Sequence, residues 1–239
     1  MKPYNEEESK KEQVEQMFDN IAPTYDRLNH ILSFNIDRMW RRRVMRIVRR
    51  SKAQHVLDIA TGTGDLAIAM TKSIDNITVL GVDLSEEMLR VAEQKVQRLG
   101  LEQRIKLQKG DAENLQMIAD ASVDVVTVAF GVRNFENLER GLSELCRVLK
   151  PGGKVVVLEF SIPRCWLVRW VYAQYSHRLL PRIGAWLSKD RKAYDYLPDS
   201  VEEFASPERF IEMLHGVGFT DARAKSQSFG IAHIYQATK

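Results

Sequence analysis

The 239-residue sequence predicts an α/β fold on a mostly parallel sheet, and two observations carry that prediction. First, short apolar runs at 56–60, 78–83, 105–109, 123–130 and 154–160 alternate with helical patterns at 65–74, 86–99 and 137–149. Strand-like runs separated by helices form βαβ units, whose strands lie side by side in parallel. Second, the run Val56-Leu57-Asp58-Ile59-Ala60 leads into Thr61-Gly62-Thr63-Gly64-Asp65 and at once into Leu66, Ala67, Ala69 and Met70. A strand, a two-glycine turn and a helix start in that order bring backbone amides up to a bound ligand.

Residues 1–50 read as helices preceding the core. Within them Arg38, Arg41, Arg42, Arg43, Arg46, Arg49 and Arg50 surround an apolar stripe of Trp40, Val44, Ile47 and Val48, the spacing of an amphipathic helix. Its basic face suits an anionic surface, phospholipid or an acidic partner. In the core, Gly62 and Gly64 let the chain bend and a ligand come close, since neither has a Cβ. The run Thr78-Val79-Leu80-Gly81-Val82 ends in Asp83, about twenty residues beyond the glycines, where an acid can accept hydrogen bonds from a ribose diol. Ser85 is suited to cap the helix that begins at Glu86. Lys150-Pro151-Gly152-Gly153 stops the helix before it. Residues 161–215 read as a helical insertion. Gly218-Phe219-Thr220 and the alternating Ile231 to Ala237 read as a last strand pair, so a single domain spans 1–239 with its cofactor-binding core at 51–160.

Two nucleoside cofactors fit the turn. Gly62-Thr63-Gly64-Asp65-Leu66-Ala67 satisfies the dinucleotide pattern G-x-G-x-x-G/A, and the same geometry serves S-adenosylmethionine. Asp65 favours the second, because a carboxylate at the helix start repels a pyrophosphate and suits a cationic amino acid and sulfonium; Asp58 adds a further acid. Composition narrows the setting. Hydrophobic and charged contents of 44% and 28% suit a folded soluble chain. No apolar run reaches the length of a membrane span. The opening Met1-Lys2-Pro3-Tyr4-Asn5 lacks a signal-peptide core, and Cys146 and Cys165 make no disulfide framework. A cytoplasmic protein is expected. The net charge of +3 is too small to point to nucleic acid.

The chain resembles the ubiquinone/menaquinone biosynthesis C-methyltransferases, a family of class I S-adenosylmethionine-dependent methyltransferases. The resemblance rests on residues 17–29, which contain Tyr25-Asp26-Arg27-Leu28-Asn29, and on Leu57 to Asp65. It continues in Gly110-Asp111-Ala112-Glu113, Phe130-Gly131-Val132-Arg133-Asn134 and Arg147 to Gly153. The glycine turn and Lys-Pro-Gly-Gly are general to methyltransferases, whereas Phe-Gly-x-Arg-Asn and Tyr-Asp-x-x-Asn are narrower. Thr61 departs from the glycine of many relatives. The resemblance implies a Rossmann-like fold with a seven-stranded, mostly parallel sheet and helices on both faces. It implies that Gly62, Thr63 and Gly64 line the methionine end of the cofactor and Asp83 the ribose. Asp111 and the Ala112 amide would meet the adenine, and the Ala129 backbone would pass beneath it. It also implies a prenylated quinol as substrate, with no metal.

Carbon methylation of an electron-rich ring agrees with what is missing. The Asn/Asp-Pro-Pro-Tyr of amino methyltransferases is replaced by Ala129-Phe130-Gly131-Val132; Cys146 lies within a helix and Cys165 beyond the fifth strand, so neither suits a nucleophile; and none of the five histidines pairs with an acid at ligand spacing. Ionising a quinol hydroxyl enriches the neighbouring ring carbon. Arg133 is then expected to stabilise the oxyanion, Asn134 to orient it, and Tyr25 to cover the site. The insertion gathers Trp166, Trp170 and Trp186 with Arg164, Arg169, Arg178 and Arg182, the composition of an interfacial lid lying on the inner face of a membrane or making a homodimer contact; His177 within it reads as structural. Two rivals remain. A short-chain NAD(P) oxidoreductase needs Tyr-x-x-x-Lys on a helix, but Tyr235 and Lys239 lie on a strand, roughly 13 Å apart. An RNA-binding protein would need aromatics among its arginines beyond Trp40. The expected reaction is conversion of demethylmenaquinol to menaquinol, with the equivalent methylation of a ubiquinone-precursor benzoquinol as the alternative.

Overall fold

The structure is a computed structural model that describes residues 2–5, 7–176 and 191–239. His177, Arg178, Arg182 and Trp186 of the insertion lie outside the described residues. Three helices, α1 (Lys10–Ile21), α2 (Tyr25–Leu32) and α3 (Ile36–Arg50), precede the core. The core runs β1 (His55–Ile59), α4 (Asp65–Ser73), β2 (Thr78–Asp83), α5 (Glu86–Arg98), β3 (Ile105–Lys109), β4 (Val123–Ala129), α6 (Leu138–Val148) and β5 (Leu149–Phe160). After it come α7 (Trp166–Gln174), α8 (Arg191–Glu203), α9 (Pro207–Gly216), β6 (Thr220–Gln227) and β7 (Ala232–Thr238). The strands form one seven-stranded sheet in the order β3-β2-β1-β4-β5-β7-β6, with β7 antiparallel to both its neighbours and β1 to β5 parallel. The expected Rossmann-like architecture is present.

Local chemistry sets the boundaries. Ser85 accepts from the Met88 amide at 3.1 Å and starts α5. Ser9 and Glu12 form a reciprocal capping box on α1, which satisfies two orphan amides of the first turn. Lys-Pro-Gly-Gly ends α6 as expected, yet these residues belong to β5. The register shifts between Val123↔Leu149 and Val125↔Lys154, so the turn is a bulged entry into the strand. The central strands are rich in valine because helices cover both faces. Leu142 and Leu145 of α6 with Phe210 and Leu214 of α9 pack one face. Trp40, Val44 and Val48 of α3 with Leu66, Ala67 and Met70 of α4 pack the other. A third cluster joins Val14, Met17 and Ile21 of α1 to Leu28 of α2, Met88 of α5 and Tyr196 of α8.

The sheet order reverses between β1 and β4. Chains leaving these two strands diverge to opposite sides, and a crevice opens beyond their carboxyl ends. The turns there are tight. Ala60 and Phe130, each directly after its strand, have positive φ of 51° and 61°, uncommon for residues with a Cβ. A Cβ on Gly131 would lie 2.5 Å from Ala60 Cβ and 3.2 Å from a Val128 methyl, so only glycine lets the two strand ends meet. Similarly, Gly81 of β2 leaves the room that Thr61 fills: a Cβ there would sit 3.0 Å from both Thr61 Oγ1 and Cγ2. Gly131→Ala should therefore lower stability by about 1–3 kcal/mol through overpacking. A melting temperature equal to wild type would show that the strand ends can separate freely.

Candidate active site

A cleft occupies the crevice. Gly62, Asp83, Asp111, Ala112 and Ala129 line it, together with Tyr25 and Asn134. Asp83 is held by backbone: its two oxygens accept from the Gly62 amide at 2.7 Å and the Ser85 amide at 3.0 Å. Burial pushes its pKa up to about 6, with these amides working in the other direction. A Cβ on Gly62 would meet nothing within 4 Å, so the turn faces open space, as a ligand's close approach requires. Asp111 accepts from the Glu113 amide at 2.9 Å and forms an ion pair with Lys11 at 2.7 Å.

Thr63 and Gly64 are not in the lining. Thr63 is buried, its hydroxyl bonded to Asp26 of α2 and 3.3 Å from Lys95 Nζ. Gly64 is the N-cap of α4 at φ 78°, with its α-carbon packed toward Ala92 of α5. Asp65, expected to face the ligand, turns away from the cleft. It sits 2.5 Å from Lys95, 3.5 Å from His30 Nε2 and 3.8 Å from Arg41. Burial opposes its charge, but Lys95 and Arg41 outweigh burial and hold its pKa below the ordinary value. Asp58 lies beneath the turn, accepting from Thr61 at 2.7 Å and from Thr127, and burial raises its pKa to about 6. Neither acid can screen out a pyrophosphate, so the contrast drawn from Asp65 has no basis in the folded chain. The same cluster brings His30 Nδ1 within 3.0 Å of Asp37, a pairing that sequence spacing did not suggest. Among the described residues no group of three or more His, Cys, Asp or Glu is placed to hold a metal ion.

A second, larger cavity adjoins the first. Phe18, Tyr25 and Phe130 line both and form the wall between them. Its surface is mostly apolar and aromatic, from Met17, Leu32, Trp40, Phe160 and Tyr172 among others, with Arg41 and Arg133 as its cationic side chains among the described residues. Arg133 is buried and paired with Glu159 at 2.7 Å; Nη1 also donates to the Phe130 carbonyl at 2.7 Å and Nε to Ser200 at 3.2 Å. Burial opposes its charge, but Glu159, Tyr196 and Tyr25 together raise its pKa. Asn134 accepts from the Tyr196 hydroxyl at 3.2 Å. Tyr25 has its pKa raised by burial, against the influence of Asn29, Arg41 and Arg133; it is a proton donor at neutral pH.

Sequence spacing did not expose the N-terminal roof. Lys10 Nζ donates to the carbonyls of Arg133 at 3.0 Å and Phe135 at 2.9 Å, and burial lowers its pKa. With the Lys11–Asp111 pair and Asp19 accepting from Ser85 Oγ at 2.6 Å, it fastens α1 across the cleft. The signal was there only as an amphipathic helix with two adjacent lysines.

The sequence profile of the ubiE/COQ5 methyltransferase family matches residues 6–239. The chain belongs to that family. It is an S-adenosylmethionine-dependent methyltransferase. Among curated relatives, it is 44% identical over 239 residues to a demethylmenaquinone methyltransferase of Bacteroides fragilis, covering 100% of this chain and 97% of that one. It is 45% identical over 231 residues to the ubiquinone/menaquinone biosynthesis C-methyltransferase UbiE of Geobacter sulfurreducens, covering 96% and 90%. Among solved structures, a SAM-dependent methyltransferase from Aquifex aeolicus aligns with a TM-score of 0.56 at 21% identity, over 77% of this chain and 81% of that one. The cyclase SpnF aligns better, 0.68 at 19% identity over 96% of each chain. Likeness at that identity therefore shows fold alone, and the oxidoreductase alternative is removed by family membership.

Asp83 is the residue expected at the cofactor's ribose, and its state makes this testable. Its raised pKa means that the carboxylate forms as pH rises through about 6, and it is this ionised form that would accept both ribose hydroxyls. Affinity for S-adenosylhomocysteine should therefore weaken as pH falls below about 6. Asp83→Asn should weaken binding by about 1–3 kcal/mol and flatten this dependence, although Asp58 still titrates in the same range. Titration calorimetry from pH 5 to 8 decides it: an unchanged slope in the variant removes Asp83 from the ribose site.

Proposed function

We propose that the chain methylates the ring carbon of demethylmenaquinol, giving menaquinol. The observation that carries this is the pair of adjoining cavities: a cleft at the strand ends and a larger aromatic cavity, with Phe18, Tyr25 and Phe130 between them. A polar cofactor and an apolar aromatic acceptor can then meet across one wall. The names of the full-length relatives favour a naphthoquinol acceptor, and the benzoquinol of ubiquinone biosynthesis is the second substrate.

In this scheme Asp83 takes the ribose hydroxyls, Gly62 and the Ala129 backbone give the close approach, and Asp111 with the Ala112 amide meets the adenine. Thr63 and Gly64 act indirectly by shaping the turn. Bound S-adenosylmethionine supplies an electrophilic methyl group. The protein's task is to align the acceptor carbon and keep its neighbouring oxygen ionised. Arg133 lines the acceptor cavity, and among the described residues no hydrogen bond engages its Nη2. The guanidinium, braced by Glu159 and the Phe130 carbonyl, offers that edge to the phenolate oxygen. The phenolate would feed electron density to the ortho carbon; as that carbon took the methyl group the sulfur–methyl bond would break, leaving S-adenosylhomocysteine, and the ring carbon would give up its hydrogen as a proton and restore the aromatic ring. Tyr25 keeps its proton and packs edge-on to Phe18 at 6.0 Å, closing the wall against water. Asn134, positioned by Tyr196, faces the same junction.

Arg133→Ala alone would leave Glu159 buried and unpaired, a loss of about 3–5 kcal/mol. The pair Arg133→Gln and Glu159→Gln avoids this. In a folded double variant the turnover of demethylmenaquinol should fall about two to three orders of magnitude, with S-adenosylhomocysteine affinity little changed. Wild-type turnover would remove Arg133 from the chemistry, and Tyr25 would be next to substitute.

The acceptor's tail suggests a membrane surface. Among the described residues no helix is long and apolar enough to cross a bilayer. However, Trp166 and Trp170 of α7 are 76% and 60% exposed and Phe34 between α2 and α3 is 72% exposed. Phe34 touches Tyr175, with ring centroids 6.2 Å apart, so the two apolar patches are neighbours. Phe34, Ile36 and Tyr175 also line the acceptor cavity. This face lies on an anionic membrane and takes the tail from it. Sedimentation with anionic vesicles should retain the protein at low salt and release part of it at high salt, and Trp166→Ser with Trp170→Ser should weaken retention. Protein left in the supernatant as a stable dimer would assign the exposed tryptophans to self-association instead.

A further inference from the structure

We propose that Arg41 is a second substrate-binding arginine, holding the quinol oxygen beside the tail-bearing carbon while Arg133 holds the one beside the methylated carbon. The inference rests on the acceptor cavity and its proposed occupant, and it concerns a residue that α3 turns inward from an otherwise basic surface.

Three observations place Arg41 in this role. It lines the acceptor cavity, and its side chain is only 12% exposed. Nη1 pairs with the buried Asp37 one turn earlier and lies 3.8 Å from Asp65, so two carboxylates fix the guanidinium. Nε is buried and, among the described residues, has no hydrogen-bond partner. A buried N–H with nothing to donate to is costly, and native structures seldom keep one without reason. The edge of the guanidinium that stays open to the cavity, not the enclosed Nε, is what an oxygen of the occupant would meet.

The surroundings select a neutral or anionic oxygen on a flat ring. The Arg41 guanidinium lies 5.8 Å from the Phe130 ring centroid. Phe130 is stacked on Phe160 at 4.5 Å, and Arg133 lies 5.5 Å from the Phe160 centroid. Two guanidinium groups thus flank one aromatic pair. Both also act on Tyr25, where the acceptor cavity meets the cofactor cleft. A quinol carries oxygens at opposite ring positions, and each of the two guanidinium groups can donate to one of them. Arg41 is on the helix that begins at Ile36, which lines the cavity beside the exposed Phe34. The oxygen nearer the tail therefore falls to Arg41.

The test uses the whole protein with S-adenosylhomocysteine, a short-tailed demethylmenaquinol kept reduced, and an analogue lacking the oxygen beside the tail-bearing carbon. Wild type should bind the analogue about tenfold to a hundredfold more weakly than the diol, the range for a hydrogen bond to a charged group. Arg41→Met should weaken diol binding by a similar factor, yet bind diol and analogue within about twofold of each other. Arg41→Lys, which keeps a charge but loses the planar guanidinium fork, should raise KM for the diol more than it lowers kcat. Equal binding of diol and analogue by wild type overturns the proposal without any variant having to fold. Undiminished discrimination in a folded Arg41→Met overturns it as well. If wild type binds neither ligand and methylates no demethylmenaquinol, the proposed function fails first and this assignment falls with it.

Discussion

The site depends on the meeting of β1 and β4. These strands are adjacent in the sheet although β2 and β3 intervene in the chain, and their following segments leave in opposite directions. Gly131 against Ala60 lets the ends close together, and the left-handed turns at Ala60 and Phe130 sit directly after the strands. Phe130 becomes part of the wall shared by both cavities. Its carbonyl accepts from Arg133, and its amide donates to Leu158 of β5 at 2.7 Å. A local backbone constraint thereby sets the distance between the cofactor cleft and the acceptor cavity.

Two buried charge systems hold the remaining parts in register. Glu159 at the end of β5 fixes Arg133, which also reaches Ser200 of α8. On the other side, Asp26, Asp37, Asp65, His30, Arg41 and Lys95 tie α2 and α3 to the start of α4 and to α5. Buried ion pairs add little net stability, because desolvation offsets much of their attraction. Their value here is geometric, since each fixes a cationic side chain at a cavity wall. Dividing the charges this way keeps the fold's stability in its two apolar layers and leaves the polar groups to set the site.

Much of the fold was legible from pattern alone. The limits of β2 and β3 agree with their apolar runs, and α4, α5 and α6 differ from their periodic segments by one residue or so at each end. Asp83, Asp111, Ala112 and Ala129 do line the cleft, because a strand's last residue and its turn must face the crevice in any sheet of this order. Asp65 was misjudged for the opposite reason. Its place at a helix start is local information, but the direction of its carboxylate depends on Lys95, thirty residues on, and on Arg41 from another helix. Arg41 itself looked like one solvated arginine among seven; only the i, i+4 acid at Asp37 hinted that it was drawn inward.

The sequence by itself determined the alternation of strands and helices, the glycine turn, the acid after β2 and the family-like segments around Tyr25 and Arg133. Those are short-range properties: periodicity, turn chemistry and spacing act over a few residues. Only the tertiary structure decided that α1 roofs the cleft through Lys10 and Lys11, that Arg133 is saturated on one edge by Glu159, and that a second cavity lies behind Phe130. These depend on residues dozens to more than a hundred positions apart being brought together, and burial then decides which charges are paired.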